Sequence, residues 1–396
     1  MDLRSHGGDG DGTVYDAAVV GGGLIGLVTA WRAAGRGLRT ALVDPRPGGG
    51  AARVAAGMLA AVTELHHGEE ALLDLNLASA GRYPEFAAEL AEATGTDIAY
   101  RACGTLQVAL DADDRAQLRE LHALQRRCGL DTQWLTGREC RRLEPMLAPG
   151  VRGGLRVDGD HQTDPRLLVA ALLTACERAG VSFVNATATG LVVRGDRAAG
   201  VRLDGGTVLA ADRTVLAGGS RSAGLDGIPP SVAVPVRPVK GQILRLRMPS
   251  GGGAPFLSRT VRAVVRGEQV YLVPRASGEL VVGATVEEQG WDTSVTAGGV
   301  YQLLRDAREL LPGLTELPLA ETCAGLRPTS PDNAPLLGPT ALPGLFLATG
   351  HHRNGVLLAP ITGEAMAVAL TTGELPDYAR PFSAQRFSHD HREVPA

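Results

Sequence analysis

The sequence predicts an α/β protein in which a parallel, helix-flanked nucleotide-binding sheet is interleaved with a mixed, largely antiparallel α+β domain. Three observations predict it. Residues 14–43 read as strand, helix and strand around a glycine-rich turn. Two later apolar runs, 213–217 and 345–349, also end in small-residue turns, at Gly218-Gly219 and at Gly350. From 232 to about 290, apolar and polar residues alternate as they do in antiparallel strands.

The elements follow in order. Residues 14–20 (VYDAAVV) read as a buried strand, 24–34 as a helix ended near Gly35 and Gly37, and 38–43 as a second strand stopping at Asp44. A loop (45–50) precedes a small-residue helix start, AARVAAGM, at 51–58. Residues 70–145 read mainly as charged amphipathic helix, for example 113–128, broken by a strand at 105–110. Asp164 suits an N-cap with Pro165 at the first helical position. Short strands are expected at 181–185, 189–194, 199–203 and 213–217, a helix at 297–311, a strand at 345–349 and a helix at 355–371.

At 396 residues the chain exceeds one simple core, so two domains are expected. The pattern assigns 14–92, 150–232 and 323–387 to a discontinuous nucleotide-binding domain, and 93–149 and 233–322 to a substrate domain. Residues 1–13, expected to be a disordered tail, and 388–396 flank them.

A net charge of −4 provides no basic field for nucleic acid or an anionic membrane. Arginine carries almost all the positive charge; Lys240 is the only lysine, hence the only Schiff-base candidate. Five cysteines (Cys103, Cys128, Cys140, Cys176, Cys323) show no CxxC spacing, which fits a reducing compartment and argues against zinc or any other metal site. The first residues lack the pattern of a signal peptide, and the longest uncharged run, 17–31, is too short to span a bilayer and contains four glycines. A soluble cytoplasmic protein without a membrane partner is expected.

Gly21, Gly23 and Gly26 form a GxGxxG between strand and helix, the Rossmann-like arrangement for a dinucleotide. The first glycine permits the tight turn, the second lets backbone approach a pyrophosphate, and the third lets the helix pack on the strand. The helix N-terminus offers free N–H groups and partial positive charge. Asp44, 18 residues after Gly26, is placed for ribose hydroxyls. This unit leaves NAD and FAD open. The two further strand ends favour FAD, a longer cofactor that lies across several strand tips.

With VVGGGLIG at 19–26, AAGML at 55–59, PVKGQ at 238–242, VYLVPR at 270–275, LVVGAT at 280–285, AGLRPTSPDNAP at 324–335 and GHHRNGVLLAPITG at 350–363, the chain resembles the glycine oxidase/D-amino-acid oxidase family of flavoproteins. It is most similar to the ThiO-type glycine oxidases of thiamine biosynthesis. The resemblance covers about residues 14–387. It implies noncovalent FAD, a small amino acid as substrate, O2 as acceptor, and an imino acid and hydrogen peroxide as products, with thiazole formation as the destination. A homo-oligomer is expected.

The resemblance places Arg327 on the substrate carboxylate, where a planar guanidinium can form two parallel hydrogen bonds. It places the Tyr271 hydroxyl on the same carboxylate, and Arg353 beside substrate and flavin with its backbone carbonyl facing the amine. For Tyr271 the alternative is a core tyrosine; for Arg327 it is a surface ion pair. The implied cofactor residues are Gly21, Gly23, Gly26, Asp44, Arg53, Gly57, Met58, Ala188, Gly219, Gly355, Val356 and Leu357. A helix starting near Gly355 would aim its positive end at the pyrimidine edge of the flavin. Arg53 replaces a usual serine or threonine, Gln269 a histidine and His352 an apolar aromatic; the last two bear on glycine against a larger substrate. His351 and His352 are read as packing residues, since hydride transfer from a neutral amine needs no strong base. Cys323 is read as an ordinary buried thiol, and Asp332 and Asn333 as a turn. The alternatives are an oxidase of sarcosine, D-proline or D-alanine, a flavin dehydrogenase subunit, or a nucleotide-binding module without chemistry.

Overall fold

The computed structural model describes residues 13–249 and 255–388. The expected tails, 1–13 and 388–396, therefore lie outside the described residues except for Thr13 and Ser388.

The first sheet has six strands in the order Leu336–Pro339, Leu345–Thr349, Thr214–Leu216, Ala17–Val20, Thr40–Val43, Ser182–Val184. All neighbours are parallel except the Leu336–Pro339 edge. Apart from the half-buried edge strand Ser182–Val184, its strands are almost wholly buried, the usual consequence of covering a parallel sheet on both faces. The helices Leu24–Gly35, Glu70–Thr94, Pro165–Arg178 and Ala359–Thr372 share one core with it. Gly363 permits a close approach of Ala359–Thr372 to Leu24–Gly35: a Cβ there would lie 2.7 Å from Val28 Cγ2. A three-stranded antiparallel sheet (Ala188–Arg194, Arg197–Leu203, Val208–Ala210) packs against Ala18, Ala41 and Val43.

The second sheet has eight strands, in the order Leu319–Thr329, Arg237–Arg247, Glu279–Gly283, Glu268–Pro274, Thr260–Val265, Thr105–Ala109, Gly153–Val157, Gln133–Thr136. Only the Thr260–Val265/Thr105–Ala109 pair is parallel. One face packs Leu244, Leu246, Leu272 and Val282 against Leu303 and Leu310 of the helix Ala297–Leu310. The other face carries Tyr271, Arg262, Arg245 and Arg327; it packs on Val54, Ala56 and Met58 and pairs through Arg262 with Glu64.

The structure differs from the sequence reading in several places, among them a strand, Gln133–Thr136, inside the region read as helix. Residues 51–58 are not a helix start: one 3-10 turn, Ala51–Arg53, gives way to the strand Met58–Leu59. Gly57 explains the break, with φ +75 and a Cβ position 2.1 Å from the Thr163 carbonyl oxygen. Leu319–Thr329 is an eleven-residue strand that pairs along nearly all of Arg237–Arg247. Gly153–Val157 joins the same sheet, so the eight-stranded sheet draws strands from both sides of residues 150 and 323. The last helix begins at Ala359, after a turn over 355–358. Among the described residues, no helix is long and apolar enough to cross a membrane.

Candidate active site

The nucleotide end is built from missing side chains. Gly21 has φ +110, a conformation L side chains rarely adopt, and a Cβ there would lie 2.5 Å from the Ala217 carbonyl oxygen. A Cβ on Gly26 would lie 1.8 Å from the Gly21 oxygen, so the helix sits directly on the turn. Gly23 faces open space and is the N-cap, with no side-chain cap. Its amide and those of Leu24, Ile25 and Gly26 donate to no protein acceptor among the described residues. Such a terminus attracts an anion. The Asp44 carboxylate ends the second strand and accepts from the amides of Gly22 and Arg46, each at 2.7 Å. Ala188 packs beside Val20, and Gly219, with φ +58, ends the neighbouring strand.

A second set of free amides lies at Gly355, Val356 and Leu357, which donate to no protein acceptor among the described residues. Their carbonyls are held from behind: Tyr83 donates its hydroxyl to the Val356 oxygen at 2.5 Å and Ser79 to the Leu357 oxygen at 2.6 Å. These amides stand just before the N-terminus of the helix Ala359–Thr372, whose dipole adds partial positive charge there. Gly57 and Met58 lie on the adjoining segment, where Val54, Ala56 and Met58 pack on Ile243, Val273, Val281 and Tyr271 of the eight-stranded sheet.

On that face, Arg327 lies flat over Gly241; a Cβ on Gly241 would come 2.4 Å from Nη1. Arg327 Nη1 donates to the backbone oxygens of Lys240 (3.1 Å) and Thr285 (3.2 Å). Its Nη2 and Nε make no protein hydrogen bond among the described residues, which leaves one edge of the fork open. Tyr271 lies over Gly283, its neighbour across the strand pair. Burial raises the Tyr271 phenol above its ordinary value, with Arg327 pulling the other way, so the two lie in one electrostatic environment and the hydroxyl stays a donor.

Arg353 is pinned from its own side: Nε lies 2.6 Å from Glu64 Oε2, and Nη2 reaches Glu69. Glu64 also pairs with Arg262. Burial pushes the Glu64 carboxyl up, but Arg262 and Arg353 more than reverse this and hold it at about 2. The Arg353 carbonyl accepts from no protein donor among the described residues. Neither Glu64 nor Arg262 stood out in the sequence. They lie 198 residues apart in the chain, with no local spacing to reveal them.

Other expected residues fall elsewhere. Arg53 is exposed; it lies close enough to help lower the Glu321 carboxyl, while its carbonyl accepts from Arg166 Nε at 3.0 Å. Gln269 is exposed in a cleft of about 260 Å³ lined also by His66, His67, Gln107 and Arg262. His352 has φ +46, and its Nδ1 is 2.8 Å from Thr329 Oγ1; buried His351 pairs through Nε2 with Thr362 Oγ1 at 3.0 Å. Burial lowers both to about 3, with Arg353 and Arg327 adding to the effect at His352, so neither ring is charged near neutrality. Cys323 is half-buried, and burial raises its thiol.

A family model described as DAO, FAD dependent oxidoreductase, matches residues 16–369. The chain is 33% identical to the hydrogen cyanide synthase subunit HcnC of Pseudomonas aeruginosa, over 96% of this chain and 98% of the relative. It is 35% identical to the glycine oxidase of Geobacillus kaustophilus, over 94% and 97%. The crystal structure of that enzyme superposes with a TM-score of 0.87 at 34% identity, covering 94% of this chain and 98% of the other. The bifunctional protein ThiO/ThiG of a Synechocystis strain is 35% identical over 95% of this chain, which spans 54% of that longer protein.

Proposed function

The chain belongs to the DAO family of FAD-dependent oxidoreductases, with glycine oxidases among its relatives, and from that premise we propose that it deaminates glycine and similarly small amino acids oxidatively. FAD fits the site on the structure's own terms. The glycine turn leaves no room for a side chain at Gly21 or Gly26, and two rows of amides, at 23–26 and 355–357, donate to no protein acceptor among the described residues. Gly21, Gly23, Gly26 and Asp44 would hold the dinucleotide end, and Gly355 to Leu357 the ring end, without a covalent bond. Bound FAD supplies the acceptor, at N5, for the hydride from the substrate α-carbon, with O2 as final acceptor.

The chain's own residues bind and orient. The open edge of Arg327 takes the substrate carboxylate, and the Tyr271 hydroxyl donates to the same group. The Arg353 carbonyl, fixed through the Glu64 and Glu69 ion pairs, accepts from the amine. With amine neutral and carboxylate fixed, the α-hydrogen is presented without a protein base. A small substrate is supported by the packing of Met58 with Tyr271 and by the nearness of the Arg353–Glu64–Arg262 ion pairs to that tyrosine. The observation that carries this reading is the half-satisfied guanidinium of Arg327 beside Tyr271. Similarity to ThiO/ThiG supports thiazole formation as the destination of the imine.

HcnC is a subunit of hydrogen cyanide synthase, and that similarity favours a second reading in which this chain works as a subunit beside partner chains, as a flavin dehydrogenase subunit would. One experiment addresses both. Purified yellow holoenzyme, mixed anaerobically with glycine, should lose its visible flavin absorbance, and air should restore it with release of peroxide. Reduction without reoxidation by O2 selects the dehydrogenase reading. Flavin that stays oxidised with glycine, sarcosine and D-alanine contradicts the proposed substrate class.

A further inference from the structure

The chain contains one lysine among 39 basic residues, and no step above uses it. Lys240 is buried, its side chain 1% exposed, on the strand next to that of Arg327. Its ammonium lies 2.7 Å from Asp292 Oδ2 and 3.6 Å from Glu287 Oε2. Both carboxylates belong to the segment 284–296, which follows the strand under Tyr271. Glu287 is the hub of that segment. It accepts from Gln242 Nε2 at 2.7 Å and from the Thr285 hydroxyl, while Thr285 Oγ1 accepts from the Gln242 amide at 2.8 Å. Backbone bonds between Lys240 and Glu287, at 2.9 and 3.0 Å, close the zip.

The consequence falls on Arg327. Both acceptors of its Nη1 are backbone oxygens of this zip, one from Lys240 itself and one from Thr285. They fix which edge of the guanidinium stays open. We propose that Lys240 is a positioning residue for the substrate carboxylate, holding segment 284–296 through Glu287 and Asp292 so that Arg327 presents Nε and Nη2 to the ligand. This rests on the functional reading above and assigns Lys240 no contact with substrate. A compact ammonium with three donors suits a point between two carboxylates; a planar guanidinium is larger and needs fork geometry. Without the cation, Glu287 and Asp292 are like charges with no partner between them, and the segment opens. Two outer clips, Arg237 with Glu288 and the Arg221 guanidinium 4.8 Å over the Trp291 ring, keep the rest of the segment in place.

The test uses holoenzyme and two probes: glycolate, read by its perturbation of the flavin spectrum, and glycine turnover. Lys240→Met should keep FAD and its spectrum. It should bind glycolate about tenfold more weakly, and raise KM for glycine by a similar factor with kcat little changed. A merely structural defect would lower kcat and flavin content together. Asp292→Asn, at a half-exposed position that should not disturb folding, should weaken glycolate by about threefold. Lys240→Met with FAD bound and glycolate affinity equal to wild type overturns the proposal. If that variant fails to fold, Asp292→Asn with unchanged affinity overturns it. A wild type that binds neither glycolate nor glycine contradicts the functional reading itself, and this role of Lys240 with it.

Discussion

At the nucleotide end the recognition groups are backbone amides and the bare Cα atoms of Gly21 and Gly26; on the face of the eight-stranded sheet they are long charged side chains held by ion pairs or, for Arg327, by backbone carbonyls. The first kind of site is set mainly by local chain geometry, with the Ala217 backbone behind Gly21 as a wall from farther along the chain. The second depends on partners from across the chain: Arg327 on Lys240 and Thr285, Arg353 on Glu64 and Glu69. The difference implies that mutations at the two ends should separate cleanly, with cofactor lost at one and substrate at the other.

The largest effect is expected at Gly21. In Gly21→Ala the new methyl meets the Ala217 carbonyl at 2.5 Å from a backbone at φ +110, so the turn must move. The variant should purify without flavin, measured as the ratio of visible to ultraviolet absorbance. Full flavin content would break the account of the nucleotide end.

Glu64→Gln tests the other end through stability. Removing this carboxylate leaves Arg262 and Arg353 facing each other, and loss of one member of a buried ion pair costs about 3 kcal/mol. The sign with pH follows from the carboxyl held at about 2 against an ordinary 4.5. Its stabilisation is present above about pH 4.5 and is lost as pH falls through 2. Thermal melts should therefore show wild type and variant far apart at pH 7 and converging toward pH 2. A constant gap would mean that Glu64 acts by packing and not by charge.

Gly241→Ala should have a smaller and more selective effect. The added Cβ would sit 2.4 Å from Arg327 Nη1 and push the guanidinium off its two carbonyls. Carboxylate ligands should bind about tenfold more weakly while flavin content stays at the wild-type level. Loss of both together would contradict the separation of the two ends.

The same contrast explains what the sequence revealed. The unit over 14–44 was legible because each requirement is local: a buried strand, a tight turn, a helix and an acid at the next strand end. The antiparallel run from 237 to 283 was legible from alternation. The strand Leu319–Thr329 was not, because AETCAGLRPT carries little apolar alternation and takes its shape from pairing with Arg237–Arg247. Residues 51–58 read as helix on composition, yet the Thr163 oxygen behind Gly57 forbids it. Arg327 and Tyr271 could be named only through a resemblance, since neither has a local signature. Glu64, Arg262 and Lys240 matter through ion pairs whose partners lie far along the chain or across a turn.

The most direct test of the central claim is the dissociation constant of glycine from Arg327→Ala, measured on flavin-loaded protein beside wild type. A charge-assisted pair contributes about 1.5–3 kcal/mol net, which predicts at least about tenfold weaker binding. The flavin spectrum of the free variant should match wild type, because Arg327 lies over Gly241 on the eight-stranded sheet and not at the glycine turn. Equal glycine affinity in the two proteins would contradict the account and leave the carboxylate to be held by another group.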